Sequence, residues 1–241
     1  MTFPKLTLYT TRTFPAAQYI HIVLKETGLI ANIVEIDLSK PRPDWFLKLS
    51  PYGAVPALKI GDDQVLLEAP AIARYLAELV PDKKLIPATS IERAYSEFLP
   101  LQYVNHLGKA FFELTYTKDP TKRDANLAHF FKELEIFQDF LIQIRETSAR
   151  QHQHQHQQEH RDGPYVHGAQ FSLVDAALGG LINRFWLAEV HQSDFVFPTR
   201  ASHPQFSVFF DWVQAVTDRP SVKETTPDRE EIIKPSYKFL H

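Results

Sequence analysis

A change of hydrophobic period near residue 80 constrains this chain more than any other feature. Before it, short strand-like runs alternate with amphipathic helical ones. Leu6, Leu8 and Thr10 alternate with Lys5, Thr7 and Tyr9, which reads as a strand. Pro15 suits the first turn of a helix, and Ala17, Ile20, Val23 and Leu24 then share one face until Gly28 ends it. Residues 30–38 read as a second strand. Pro41, Pro43 and Pro51 leave room for one short helix around Trp45 to Leu49. Gly53 turns the chain into a strand ending at Ile60. Gly61, Asp62 and Asp63 make a hairpin turn, and Gln64 to Leu67 return. A helix over residues 69–79 completes the order β-α-β, then α-β-β-α. Beyond it every periodic segment is helical: 91–114, 123–146, 173–189 and 206–217.

An α/β part followed by an all-helical part implies two domains sharing a cleft. The expected boundaries are 1–82 for the α/β domain, 83–92 for a linker, and 93–241 for the helical domain. A His/Gln-rich loop interrupts the latter at 151–160. That run, QHQHQHQQEH, is read as a surface loop, since alternating histidines on an irregular chain fix no metal geometry. No metal site is expected. A net charge of −3 supplies no basic field for nucleic acid or an acidic membrane surface. No apolar run approaches the ~20 residues that span a bilayer, and residues 1–8 lack the pattern of a signal peptide. A cytoplasmic address is the expectation. The chain has no cysteine, which rules out disulfides, thiolate metal sites and a cysteine nucleophile.

Three short motifs stand out. Val55-Pro56 precedes a strand, and the proline either opens an edge strand in the trans form or sits in a cis bond. The cis form would turn the Val55 backbone outward to pair with an extended peptide. Glu68 and Ala69 fall between a strand and a helix start, where free N–H groups and the dipole attract a carboxylate. Glu68 could receive an ammonium group there, or merely complement its own helix. Ser172 to Asp175 has capping-box spacing and is assigned to folding, not catalysis.

In their order and spacing, these motifs resemble the cytosolic glutathione transferases, nearest to the omega class and its fungal relatives. The resemblance rests on LTLYTTRTFPAAQ, PRPDWFLKLSPYGAVPAL, LLEAPAIARYL and PDKKLIP, with weaker matches at FSLVDAAL and WVQAVTDRP. It implies a thioredoxin-like N-terminal α/β domain, an all-α C-terminal helical bundle, and glutathione as cofactor or co-substrate. Val55 and Pro56 then hold the cysteinyl part, and Glu68 and Ala69 the γ-glutamyl end. Arg42, with Lys40 as a second contact, meets the glycine carboxylate. Members usually pair as homodimers, and a detoxification role follows from the resemblance.

Two departures matter. Omega-like proteins read Cys-Pro-Phe where this chain has Phe14-Pro15-Ala16, so the thiol that forms a mixed disulfide is missing. Ala69 stands where the family usually has Ser. What remains is a non-cysteine mechanism, with Thr13 and then Thr11 as hydroxyl donors to a glutathione thiolate, assisted by the backbone N–H of Phe14 or Ala16. Each threonine could equally serve only as a turn or capping hydroxyl. Tyr103, Leu107, Phe111 and Tyr116, with Phe112, Phe185 and Trp186, are the expected wall for a hydrophobic electrophile; helix core is the competing reading. The function expected is conjugation of the glutathione thiol to such an electrophile. The alternatives are a non-catalytic binder of glutathione or an apolar ligand, and an interaction scaffold.

Overall fold

The computed structural model describes residues 3–154, 163–192 and 195–240. Strands β1 (Leu6–Thr10), β2 (Asn32–Glu35), β3 (Ala57–Ile60) and β4 (Gln64–Leu67) form a sheet in the order β2-β1-β3-β4. β2 runs parallel to β1, whereas β3 and β4 are antiparallel to their neighbours. Helices α1 (Pro15–Thr27), α2 (Asp44–Leu47) and α3 (Ala69–Leu79) complete this thioredoxin-like unit. α1 begins at Pro15 and ends on Gly28, whose φ of 73° needs a residue without Cβ. The second strand is shorter than read, because Ile30 lies 91% exposed outside the sheet.

The helical region contains α4 (Ser90–Gln102), α5 (Gly108–Tyr116), α6 (Arg123–His154), α7 (Leu173–Ile182), α8 (Leu187–His191), α9 (Ser207–Asp218), α10 (Pro220–Thr225) and α11 (Arg229–Ser236). Four expectations are corrected here. α4 already starts at Ser90, inside the expected linker 83–92. The helix expected over 91–114 is split by a π turn, Tyr103–Leu107, one turn after Pro100, which has no N–H to donate to the carbonyl four residues back. The helix expected over 173–189 breaks between Ile182 and Leu187. Finally, α6 runs on through Gln151 to His154, so the His/Gln run begins as helix; residues 155–160 of that run lie outside the described residues.

One hydrophobic cluster runs through both parts, joining Ile20 and Ile72 of the α/β unit to Phe137, Phe209 and Trp212. The parts also meet at polar contacts. Glu26 of α1 accepts two parallel bonds from the Arg219 guanidinium, both 2.8 Å, and a third from Ser221 at 2.5 Å. The same guanidinium lies 4.6 Å from the Phe171 ring centre. Burial works against ionisation of Glu26, but the bonds from Arg219 and Ser221 overcome it and hold its pKa below the ordinary 4.5. The unfolded chain therefore takes up the proton first as pH falls. The stabilisation is present above pH 4.5 and is lost as pH drops through the folded value. Glu26→Ala is expected to cost about 2 kcal/mol at neutral pH, with the difference from the parent chain shrinking in acid, as read by urea unfolding.

Candidate functional site

The sheet register gathers the site residues at one edge. Tyr9 of β1 pairs with Ala57 of β3, and Ala57 pairs with Leu67 of β4. The end of β1, the start of β3 and the end of β4 therefore lie side by side. The Thr11-to-Phe14 turn, Val55-Pro56 and Glu68-Ala69 each extend from that edge.

The Val55–Pro56 bond is cis, the less common of the two forms left open by the sequence. Neither the N–H nor the C=O of Val55 is bonded among the described residues. Buried main-chain groups are nearly always paired, so two free ones on an otherwise buried residue mark a place where another chain can dock. Next to it, Glu68 caps α3 with φ 68° and ψ 118°. A non-glycine residue with positive φ stores roughly 1–3 kcal/mol of strain. Its carboxylate is exposed and makes no hydrogen bond or ion pair among the described residues. The first-turn N–H groups of Ala69 and Ala71 accompany it without a main-chain acceptor among the described residues, as the first turn of a helix has none of its own. Ala69 itself is buried and adds no hydroxyl.

In the turn, Thr11 and Thr13 are half-buried and their hydroxyls have no partner among the described residues. Thr10 does not compete for this role, as it is fully buried and shares a 3.1 Å hydrogen bond with His21 Nε2. Burial, with the nearby Arg12 charge, pushes the His21 pKa down. Phe14 occupies the α1 cap with its ring 46% exposed, and its carbonyl accepts the N–H groups of Ala17 and Gln18 at 3.0 Å.

Sequence reasoning missed the group beneath this turn. Arg184, 6% exposed, donates from Nη2 to the Thr13 carbonyl at 3.3 Å and from Nη1 to Gln18 Oε1 at 2.7 Å and to Asn183 Oδ1 at 2.9 Å. It also bonds the Gly180 carbonyl. Its Nε has no partner, and no carboxylate lies within 4 Å of it among the described residues. Burial lowers its pKa to about 10, so at neutral pH it remains a cation. Gly180 permits this approach: a Cβ there would sit 2.8 Å from the Pro15 carbonyl oxygen. The break between α7 and α8 turns Arg184 inward, and no feature of local sequence announces that break.

The remaining expected residues divide. Arg42 donates to the backbone carbonyls of Gly53 (3.2 Å), Asp37 (3.3 Å) and Lys40 (2.5 Å), and so braces the loop before β3. Only its Nη2 is left for a ligand. Lys40 pairs with Asp37 at 3.1 Å on the surface. Asp37 is itself held down to about 2 by the Ser39 hydroxyl and N–H, with Lys40 adding to them.

Three residues of the expected electrophile wall follow the competing reading, helix core. Tyr103, Leu107 and Phe111 are 3%, 0% and 8% exposed and belong to the core, where Phe111 packs edge-on against Phe185 at 4.9 Å. Tyr116 is covered by Phe112, His191 and Phe239. Exposed aromatic surface is carried by Phe112, one of the residues expected in the wall, and by Phe239, 37% and 41% exposed, whose rings lie 5.6 Å apart. α11 leads into that segment.

Comparison with known proteins matches this architecture. Residues 15–79 fit the family model described as glutathione S-transferase, N-terminal domain. Glutathione S-transferase GstA of Escherichia coli O157:H7 is 31% identical over 164 residues, covering 66% of this chain and 72% of that protein. Glutathione S-transferase omega-1 of Rattus norvegicus is 36% identical over 90 residues, and the matched segment spans 37% of either chain. In fold, glutathione transferase Omega 3C from Trametes versicolor superposes with a TM-score of 0.76 at 24% identity, covering 99% of this chain and 91% of that one. The chain belongs to the glutathione S-transferase family. Within that family its likeness runs toward omega-class members, and it carries no cysteine.

Proposed function

We propose that this chain binds glutathione along the sheet edge and conjugates its thiol to a hydrophobic electrophile without a cysteine nucleophile. The observation that carries the reading is the gathering of three unpaired polar groups on one edge: the Val55 backbone, the Glu68 carboxylate at the α3 start, and the Thr13 hydroxyl. They fit a zwitterionic peptide carrying a thiol. Val55 pairs with its backbone, Glu68 accepts its ammonium, and the N–H groups of Ala69 and Ala71 receive its carboxylate. Glutathione supplies the nucleophilic sulfur.

Thr13 donates its hydroxyl hydrogen to that sulfur, with Thr11 as the second donor. The Arg184 cation beneath the turn and the N-terminus of α1 add positive potential, which lowers a thiol pKa. Phe112 and Phe239 offer the apolar face for the acceptor in place of the core residues. The same reading includes pairing as a homodimer and a cytoplasmic address. A second reading, binding without turnover, is favoured by the exposed Phe14 ring at the position where omega-like members place their thiol.

Thiolate absorbance of bound glutathione, followed against pH, separates the two. The transferase reading expects a thiolate at neutral pH, and a rise of about one unit in its pKa in Thr13→Val, since one neutral hydrogen bond is worth about 1 kcal/mol. Bound glutathione that shows no thiolate at neutral pH would leave only the binding reading. An unchanged pKa in both Thr13→Val and Thr11→Val would remove the threonines from the mechanism.

A further inference from the structure

A groove of about 240 Å³ lies between the π turn after α4 and the middle of α6. Leu107, Ile136, Phe137 and Phe140 form its apolar walls, and the carboxylate of Glu133 is the one acidic group in its lining. None of Thr11, Thr13, Phe14, Val55 and Glu68 lines it, so it is separate from the edge proposed for glutathione.

The Glu133 carboxylate lacks donors. Its side chain is only 12% exposed, yet it accepts no hydrogen bond among the described residues. A carboxylate so far shielded from water is ordinarily hydrogen-bonded or paired with a cation. No Lys or Arg lies within 4 Å of it among the described residues. The basic nitrogens within that distance are His106 Nδ1 at 3.9 Å and His129 Nε2 at 3.6 Å, both beyond hydrogen-bond reach. His129 Nδ1 is 3.3 Å from Glu113 Oε2. An ionised carboxylate only accepts, so Nδ1 donates to Glu113, and a neutral imidazole has one N–H to give. Its Nε2 then turns a lone pair toward Glu133 where a donor is needed. Glu113 also has no Lys or Arg within 4 Å among the described residues. Two carboxylates therefore share two imidazoles and no permanent cation.

We propose that this groove binds a small organic ammonium ion, its charged end on Glu133 and its apolar body against Phe137 and Phe140. An ammonium brings a positive charge and three N–H donors, which are what the carboxylate lacks. Aromatic faces attract the cation, and apolar walls favour an organic ion over a hydrated inorganic one. The volume, below the roughly 300 Å³ at which sites for drug-sized ligands begin, suits a single ring or a short chain.

The probe is benzylamine, a cation at neutral pH, titrated by calorimetry into the intact chain with and without saturating S-methylglutathione. Saturable binding at one site per chain is expected in both cases. It should be about tenfold weaker in Glu133→Gln, the effect of losing one hydrogen bond to a charged group. Glu133→Asp, which keeps the charge on a shorter arm, should fall between the two. Benzyl alcohol, with the same ring and no charge, should show no saturable binding. Far-ultraviolet dichroism and urea unfolding confirm that each variant is folded. Absence of saturable benzylamine binding, equal affinity in folded Glu133→Gln, equal binding of benzyl alcohol, or displacement by S-methylglutathione would each overturn the proposal. Whether glutathione binds at the sheet edge is measured without the probe and stands apart from these outcomes.

Discussion

Asp175→Ala should cost this fold about 4 kcal/mol, the largest loss expected of any single substitution considered. The carboxylate is fully buried and accepts four hydrogen bonds: from the N–H of Val166, the N–H and hydroxyl of Ser172, and the indole N–H of Trp212, all between 2.9 and 3.0 Å. The bond from the Ser172 N–H belongs to the Ser172–Asp175 capping box that starts α7, and the Ser172 hydroxyl adds a second bond from the same residue. The others tie α7 to the segment before it and to α9, whose Trp212 is itself fully buried. Alanine removes one acceptor group and strands four donor groups in the core, each costing about 1–3 kcal/mol and not adding fully. Urea unfolding of the parent chain, Asp175→Ala and Asp175→Asn measures this. Asn keeps one oxygen and should lie between them. A loss below about 1 kcal/mol in the alanine variant would mean that the network does not hold α7 in place.

The second large effect falls on binding. Glu68→Ala should weaken glutathione about ten- to a hundredfold, the range for losing one hydrogen bond to a charged group. Stability should hardly change, because the carboxylate is exposed and unpaired in the free protein. Glu68→Gly sharpens the test. Glycine adopts φ 68° without the strain, so this variant should be more stable than the parent by about 1 kcal/mol, yet bind as poorly as the alanine variant. Calorimetric titration and thermal unfolding of all three proteins separate the effects. Unchanged affinity in both variants would remove Glu68 from the ligand.

The α/β unit was legible because its signals are local. Pro15, Gly28, the Gly61 turn and the β-branched runs punctuate it closely, and α3 occupies the 69–79 expected of it. The edge proposed for glutathione could be assembled from the sequence for a different reason: its residues lie at the ends of those elements, so placing the elements places the residues. The helical region was not legible in the same way. Aromatic residues at helical spacing look alike whether they face a cleft or the core, and Tyr103, Leu107 and Phe111 turned out to face the core. The α7–α8 break has neither proline nor a decisive turn signal. Arg184 was therefore not singled out within a helix expected to be continuous, although the break buries it beneath Thr13. Glutamine is a good helix former, and nothing after Arg150 stopped α6 from entering the His/Gln run.

The account stands on glutathione occupying the sheet edge, and calorimetric titration of glutathione into the intact chain at neutral pH tests this most directly. Binding at one site per chain, with a dissociation constant in the micromolar to low-millimolar range and a clear loss in Glu68→Ala, is the expected result. No detectable heat with glutathione at several millimolar, from a chain shown to be folded, would contradict it and leave the transferase fold serving another ligand or a docking role.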